Sequence, residues 1–287
     1  MDWTRRRERF RAIVAGDRCI HPGSVFDPIS ARIAEDLGFE AGMFAGSTGA
    51  LTVIGSPDLI TLTLTEFAQQ AYRICRAGDL ALMVDADHGY GNALNVRRTV
   101  EELESAGVSG LTIEDTDLPQ PYGTAGKQRL ISVDEGIGKM KAALSGRQDP
   151  RLVIAGRTSA PAISGIADTI VRAKAYEAVG VDAIFLVGIR KPEELQAIQA
   201  EVRIPLMLGG VPAEMRKLEL LTSLGVRICL TGHQPIMAGI RAVHATLKAL
   251  REGTQPEDLE GVAPAELMRA VTREDDHKRW TRDFLGG

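Results

Sequence analysis

Ala178-Val179-Gly180-Val181-Asp182-Ala183 has the same form as Asp36-Leu37-Gly38-Phe39-Glu40-Ala41, Ser105-Ala106-Gly107-Val108-Ser109-Gly110 and Ser223-Leu224-Gly225-Val226-Arg227-Ile228. In each, an amphipathic run stops at a glycine and a short apolar run begins. Glycine closes a helix in the left-handed conformation without a Cβ penalty, so each phrase reads as a helix-to-strand joint. A joint that recurs along the chain is the mark of a repeated βα unit.

Working outward from these joints, apolar runs of strand length occupy residues 39–45, 80–84, 110–113, 152–155, 183–187, 205–208 and 226–230. Their nearly continuous apolar character fits strands buried on both faces. Residues 96–106, 133–144, 166–179 and 192–200 carry apolar side chains at three- and four-residue spacing and read as helices. An earlier unit over residues 21–38 opens the series, with Asp27 as cap, Pro28 at the first helical position and Gly38 as stop. Eight strands, each followed by a helix, close most simply into a (β/α)8 TIM-type barrel, an α/β fold. An open doubly wound sheet is the alternative that periodicity leaves standing. All 287 residues read as one elaborated barrel domain, with a C-terminal helical appendage over about residues 252–287.

Composition narrows the function classes. Hydrophobic residues at 44% and charged residues at 25% are those of a globular protein with a sizeable core, which excludes disordered and fibrous classes. A net charge of -4 with no long basic run argues against nucleic acid as partner. Three scattered cysteines, Cys19, Cys75 and Cys229, form no Cys-x-x-Cys pair and fit a reducing compartment. The charged start, Asp2-Trp3-Thr4-Arg5-Arg6-Arg7, leads into no signal-like or membrane-spanning stretch, so a cytoplasmic protein with no membrane partner is expected.

In a parallel barrel the reactive groups stand where strands end. The strand ends here are Gly46-Ser47-Thr48-Gly49, Asp85-Ala86-Asp87-His88-Gly89-Tyr90-Gly91-Asn92, Glu114-Asp115, Arg157-Thr158 and Gly232-His233. Asp85, Asp87 and Glu114 are the most informative. Three carboxylates brought together repel unless a hard divalent cation sits among them, and Mg²⁺ takes few direct protein ligands while keeping several waters. The competing reading makes these acids helix caps or partners of surface cations. Arg157 suits forked hydrogen bonding to a carboxylate or enolate oxygen, or a structural pairing with Glu114. His233 is placed to bind a carboxylate or move a proton, or to rest as a satisfied core histidine. Ser47 sits in no Gly-x-Ser-x-Gly elbow and reads, with the N–H groups beside Gly46, as a carboxylate cradle.

Taken with Ser24-Val25-Phe26-Asp27, Pro57-Asp58 and Ala155-Gly156-Arg157-Thr158, these phrases resemble the isocitrate lyase/phosphoenolpyruvate mutase superfamily over about residues 24–244. The resemblance implies a barrel whose last helix is exchanged between subunits, in a homotetramer built as a dimer of dimers. It implies Mg²⁺, with Mn²⁺ as the other option, bound by Asp85 directly and by Asp58, Asp87 and Glu114 through water. Within the superfamily, the segment Leu118-Pro119-Gln120-Pro121-Tyr122-Gly123-Thr124-Ala125-Gly126-Lys127 lacks the cysteine motif of the isocitrate and methylisocitrate lyases and the Asn/Lys loop of the mutase.

The oxaloacetate decarboxylase branch matches best, through Glu114-Asp115-Thr116, Leu118-Pro119, residues 133–139 and His233 after Gly232. That branch implies metal-dependent conversion of a small keto acid, oxaloacetate, to pyruvate and CO₂. Gly46, Ser47, Arg157 and His233 would bind substrate, and Arg157 and His233 would act in catalysis. One departure is Leu208-Gly209-Gly210-Val211-Pro212, where the branch carries a Tyr after strand seven. The alternatives are cleavage of a 2-methylisocitrate-like or substituted malate substrate, hydrolysis of oxaloacetate, and a non-catalytic dicarboxylate-binding protein.

Overall fold

A computed structural model describes residues 2–286. Eight parallel strands follow one another in sheet order: β1 (Gly23–Ser24), β2 (Gly42–Phe44), β3 (Leu82–Asp85), β4 (Gly110–Glu114), β5 (Val153–Thr158), β6 (Ala183–Leu186), β7 (Leu206–Leu208) and β8 (Val226–Cys229). Closure comes from Ile20, which pairs in parallel with Ile228: its N–H donates to the Arg227 carbonyl (2.9 Å) and its carbonyl accepts from the Cys229 N–H (3.0 Å). The sheet therefore returns on itself as a barrel and the open-sheet alternative falls. The four glycines of the recurrent joints, Gly38, Gly107, Gly180 and Gly225, have φ of 82°, 95°, 102° and 75°, the left-handed stop their sequence implied.

The helices are α1 (Thr4–Ala15), α2 (Pro28–Asp36), α3 (Gly46–Gly49), α4 (Leu64–Cys75), α5 (Ala93–Ser105), α6 (Val133–Gly146) and α7 (Ala160–Ile163). They continue as α8 (Ile166–Val179), α9 (Pro192–Glu201), α10 (Leu218–Ser223), α11 (Gln234–Arg251), α12 (Ala265–Thr272) and α13 (Glu274–Leu285). Short polar side chains start several of them: Asp27 accepts from Ser30 N–H (2.7 Å), Asn92 from Leu94 N–H (2.9 Å) and Ser132 from Glu135 N–H (3.1 Å). Among the described residues no helix is long and apolar enough to cross a membrane.

Two apolar layers result from strand alternation. One lies between the strands and the helices around them. The other fills the barrel, with Met43, Met83, Val153, Ala155, Phe185, Met207 and Ile228 packed on Phe10 and Val14 of α1. Helix α1 thus plugs the N-terminal end, a role its charged sequence did not announce. A β-carbon on Gly110 would stand 2.3 Å from the Phe10 ring, so that plug seats only because residue 110 has no side chain.

The C-terminal extension is helical. Its α12 docks on α2, where Arg32 donates to the Val271 carbonyl (2.9 Å) and Arg273 pairs with Asp36 (2.7 Å). Helix α11 buries only Ile236 and leaves Met237, Ile240, Val243, Leu247 and Leu250 exposed.

Candidate active site

The inward row of β3 continues from Met83 to Asp85, and that of β5 from Ala155 to Arg157, so the apolar filling gives way to charge at the C-terminal mouth. Register brings the groups side by side, with Asp85 opposite Thr112 and Glu114 opposite Arg157. Asp85 accepts from the Thr112 hydroxyl (2.9 Å) and the Asp87 N–H (3.2 Å), while its other oxygen meets Arg157. Arg157 spans to Glu114 at 3.4 Å, and Glu114 accepts from the Thr116 hydroxyl.

Asp87 does not reach the mouth by strand alternation. It lies past the end of β3 with φ +48°, left-handed for a residue with a side chain, and its carbonyl accepts from Glu114 N–H (2.8 Å). Its carboxylate lies where a side chain on Gly46 would be: a β-carbon there would sit 2.5 Å from Asp87 Oδ2. Gly46 thus leaves room for Asp87. Lys139, buried on α6, donates to the His88 carbonyl (2.9 Å) and ties down the next residue of this turn.

A cavity of about 310 Å³ opens over these groups, lined by Ser47, Asp58, Asp85, Asp87, Glu114 and Arg157, and by Asp117, Leu118, Gln120, Lys127 and Ser159 among others. Six of the expected site residues therefore converge. A second cavity of about 340 Å³ lies at the opposite end beside Arg9, Ile13, Phe39 and Leu80, where three acids, Glu35, Glu40 and Asp79, share the lining with Arg9. His233 is outside the lining of the mouth cavity. Its Nδ1 is 2.8 Å from the Ser24 hydroxyl, across the seam where β1 and β8 meet. Asp115, beside Glu114 in sequence, points away into a buried group with Tyr176 (2.6 Å) and Arg172 (3.0 Å).

Electrostatics set the character of the mouth. Burial, then the charges of Asp85 and Glu114, push the Asp87 carboxyl well above the usual range. Burial raises Asp58 and Glu114 as well, the latter despite Arg157. Burial opposes the Arg157 charge, but Asp85 and Glu114 outweigh it and raise the guanidinium further. His233 is lowered by burial, against the pull of Asp85 and Asp58. His88 is pushed down to about 4 by burial and by Lys139.

Five carboxylates, Asp58, Asp85, Asp87, Glu114 and Asp117, against Arg157 and Lys127 leave an oxygen-rich lining with unbalanced negative charge, the chemistry that suits a hard divalent cation. Among the described residues no three His, Cys, Asp or Glu side chains converge closely enough to grip one ion directly.

The expected set omitted Ser24 as a site group, together with Thr112, Thr116 and Lys127. Strand alternation exposes Thr112, two residues before Glu114. Ser24 needed the β1–β8 seam, which joins residues 209 apart.

The chain matches the family described as phosphoenolpyruvate phosphomutase over residues 10–251. It is 58% identical to oxaloacetate decarboxylase of Bradyrhizobium diazoefficiens over 286 residues, covering 100% of this chain and 99% of the relative. To oxaloacetate decarboxylase of Rhodopseudomonas palustris strain BisB18 it is 55% identical, with the same coverage. Among solved structures, oxaloacetate acetylhydrolase with 3,3-difluorooxalacetate superposes with TM-score 0.85 at 27% identity, covering 98% of this chain and 97% of the other. Phosphonopyruvate hydrolase with oxalate and Mg²⁺ gives 0.84 at 25% identity, over 98% and 99%. With a closed eight-stranded barrel, acids and Arg157 at its C-terminal mouth and a match over most of its length, the chain belongs to the phosphoenolpyruvate phosphomutase family of the isocitrate lyase superfamily.

Proposed function

We propose that this protein decarboxylates oxaloacetate to pyruvate and CO₂ with a divalent cation, Mg²⁺ or Mn²⁺, held at the mouth by Asp85, with Asp58, Asp87 and Glu114 reaching it through water. The observation that carries the reading is Arg157, fixed by Asp85 and Glu114 yet left with a buried Nε–H that has no partner among the described residues. A buried donor without an acceptor is costly, so this one is aligned for an oxygen the protein does not itself supply.

Loss of CO₂ from C4 moves an electron pair onto the C2 oxygen and leaves the enolate of pyruvate, which takes a proton at C3 from water to become pyruvate. When bound, the cation supplies Lewis-acid neutralisation of that growing charge. Arg157 shares it, and because the charge is larger in the transition state than in the substrate, its contribution lowers the barrier. Ser47 and the backbone N–H groups near Gly46 hold the C1 carboxylate. His233, beside Ser24 and outside the cavity lining but near enough to feel the charges of Asp85 and Asp58, donates to the C4 carboxylate where the substrate reaches towards the β1–β8 seam. Full-length relatives named oxaloacetate decarboxylase support the substrate. Against the cysteine-dependent lyases stands the placement of all three cysteines, buried and outside residues 117–130.

The test is incubation with oxaloacetate, with and without Mg²⁺ and with excess chelator, quantifying pyruvate, CO₂, oxalate and acetate above the metal-only background. Equal, metal-dependent pyruvate and CO₂ is the expected result. Oxalate with acetate would make it a hydrolase, and binding without turnover would make it a dicarboxylate binder.

The assembly is a tetramer, a dimer of dimers, in which α11 packs on a second copy and covers Met237, Ile240, Val243, Leu247 and Leu250. A row of exposed apolar residues on one helix supports this. Light scattering then reads four times 30.9 kDa.

A further inference from the structure

We infer that Ser24 is a positioning residue for substrate binding, acting by fixing the tautomer of His233; this rests on the reading of His233 as the donor to the substrate's C4 carboxylate. Ser24 ends β1 and His233 follows β8, so the two meet over the closing seam, hydroxyl to Nδ1 at 2.8 Å. Among the described residues this is the one hydrogen bond that the His233 ring makes, and the one that the Ser24 hydroxyl makes.

A neutral imidazole carries its proton on one nitrogen, and the bond made at one edge decides what the other edge offers. Were Ser24 to accept from Nδ1–H, Nε2 would present a lone pair towards a dianionic substrate and repel it. With Ser24 donating to Nδ1, Nε2 carries the proton and becomes the donor. Burial holds the ring neutral, so the tautomer, rather than a full charge, is what the serine controls.

A hydrogen bond to a carboxylate that departs as neutral CO₂ is stronger in the ground state than in the transition state. Losing it therefore raises KM and does not lower kcat, so that kcat/KM changes less than KM does. Ser24→Ala is expected to raise the KM for oxaloacetate about 3- to 10-fold, the equivalent of one neutral hydrogen bond. Ser24→Thr, which keeps the hydroxyl, should return KM to within about twofold of the parent.

The decisive measurement is the ¹⁵N spectrum of His233 in the full-length protein labelled at histidine, assigned by comparison with His233→Ala. A pyridine-type Nδ1 and a pyrrole-type Nε2 are expected, with the pattern lost in Ser24→Ala. A protonated Nδ1 in the parent protein overturns the inference even if the variants fail to fold. So does an unchanged KM in Ser24→Ala while His233→Ala raises it. If His233→Ala itself leaves kcat and KM unchanged, the assignment of His233 has failed and the tautomer spectrum still reports on Ser24 by itself.

Discussion

The Asp87 carboxylate stands 2.5 Å from the point a β-carbon on residue 46 would occupy. One oxygen of the acid fills the space that glycine leaves. Asp87 is held there by a left-handed backbone at φ +48° and by burial, so it has little freedom to withdraw.

Gly46→Ala should therefore move Asp87. The overlap is of a kind that costs roughly 1–3 kcal/mol, and placed on a site group it is expected to lower kcat/KM about tenfold or more. Titration of activity with Mg²⁺ should show half-saturation at higher metal concentration than in the parent. An unchanged metal requirement would separate Gly46 from the acid cluster.

Arg157 bridges two carboxylates with a forked group. Lysine keeps the charge but offers one point of attachment. Arg157→Lys should reduce kcat by about 10²-fold, the usual loss of one aligned donor at developing charge, with a smaller change in KM. Steady-state kinetics at saturating metal distinguishes this from a defect in binding alone.

His88 gives the protein a pH-dependent stability. Burial and Lys139 bring its folded value to about 4 from an ordinary 6.5. A histidine depressed on folding stabilises above its unfolded value, and the contribution is lost as pH falls from about 6.5 towards 4. Asp58, Asp87 and Glu114, raised on folding, work with the opposite sign, favouring the fold at low pH and losing that contribution as pH rises through their raised values. The histidine's share is thus the difference between the parent and His88→Asn in denaturant titrations across that window. The variant should lose less stability on acidification, and equal slopes would contradict the assignment.

Phe10 tests the plug independently of the chemistry. Its ring is fully buried against Gly110 at the end of the barrel remote from the mouth. Phe10→Ala should cost about 3–5 kcal/mol by chemical denaturation, the range for a large ring removed from a core. At temperatures where the variant stays folded, KM should be that of the parent.

Periodicity carried most of the frame. The helix-Gly-strand phrases located four joints that all adopt left-handed glycine, and strand alternation placed Asp85 and Arg157 on inward rows. Two kinds of feature were out of reach. Helix α1 is charged over much of its length, yet Phe10 and Val14 alone are enough to seal the barrel, and only tertiary packing reveals that. The second is geometry past strand ends. Asp87 owes its place to a left-handed backbone rather than to the two-residue repeat, and His233 meets Ser24 instead of lining the mouth cavity.

The seam between β1 and β8 also orders events in time. Ile20 and Ser24 leave the ribosome well before their partners Ile228 and His233, which lie about 209 residues further along. Until β8 arrives, β1 has an unpaired edge on one side, the kind of edge that invites pairing with a foreign strand. Synthesis interrupted before residue 226 leaves a chain with most of its acids in place but no ring to hold them, and it is such a truncated product, rather than the finished protein, that a quality-control protease would meet as an open sheet.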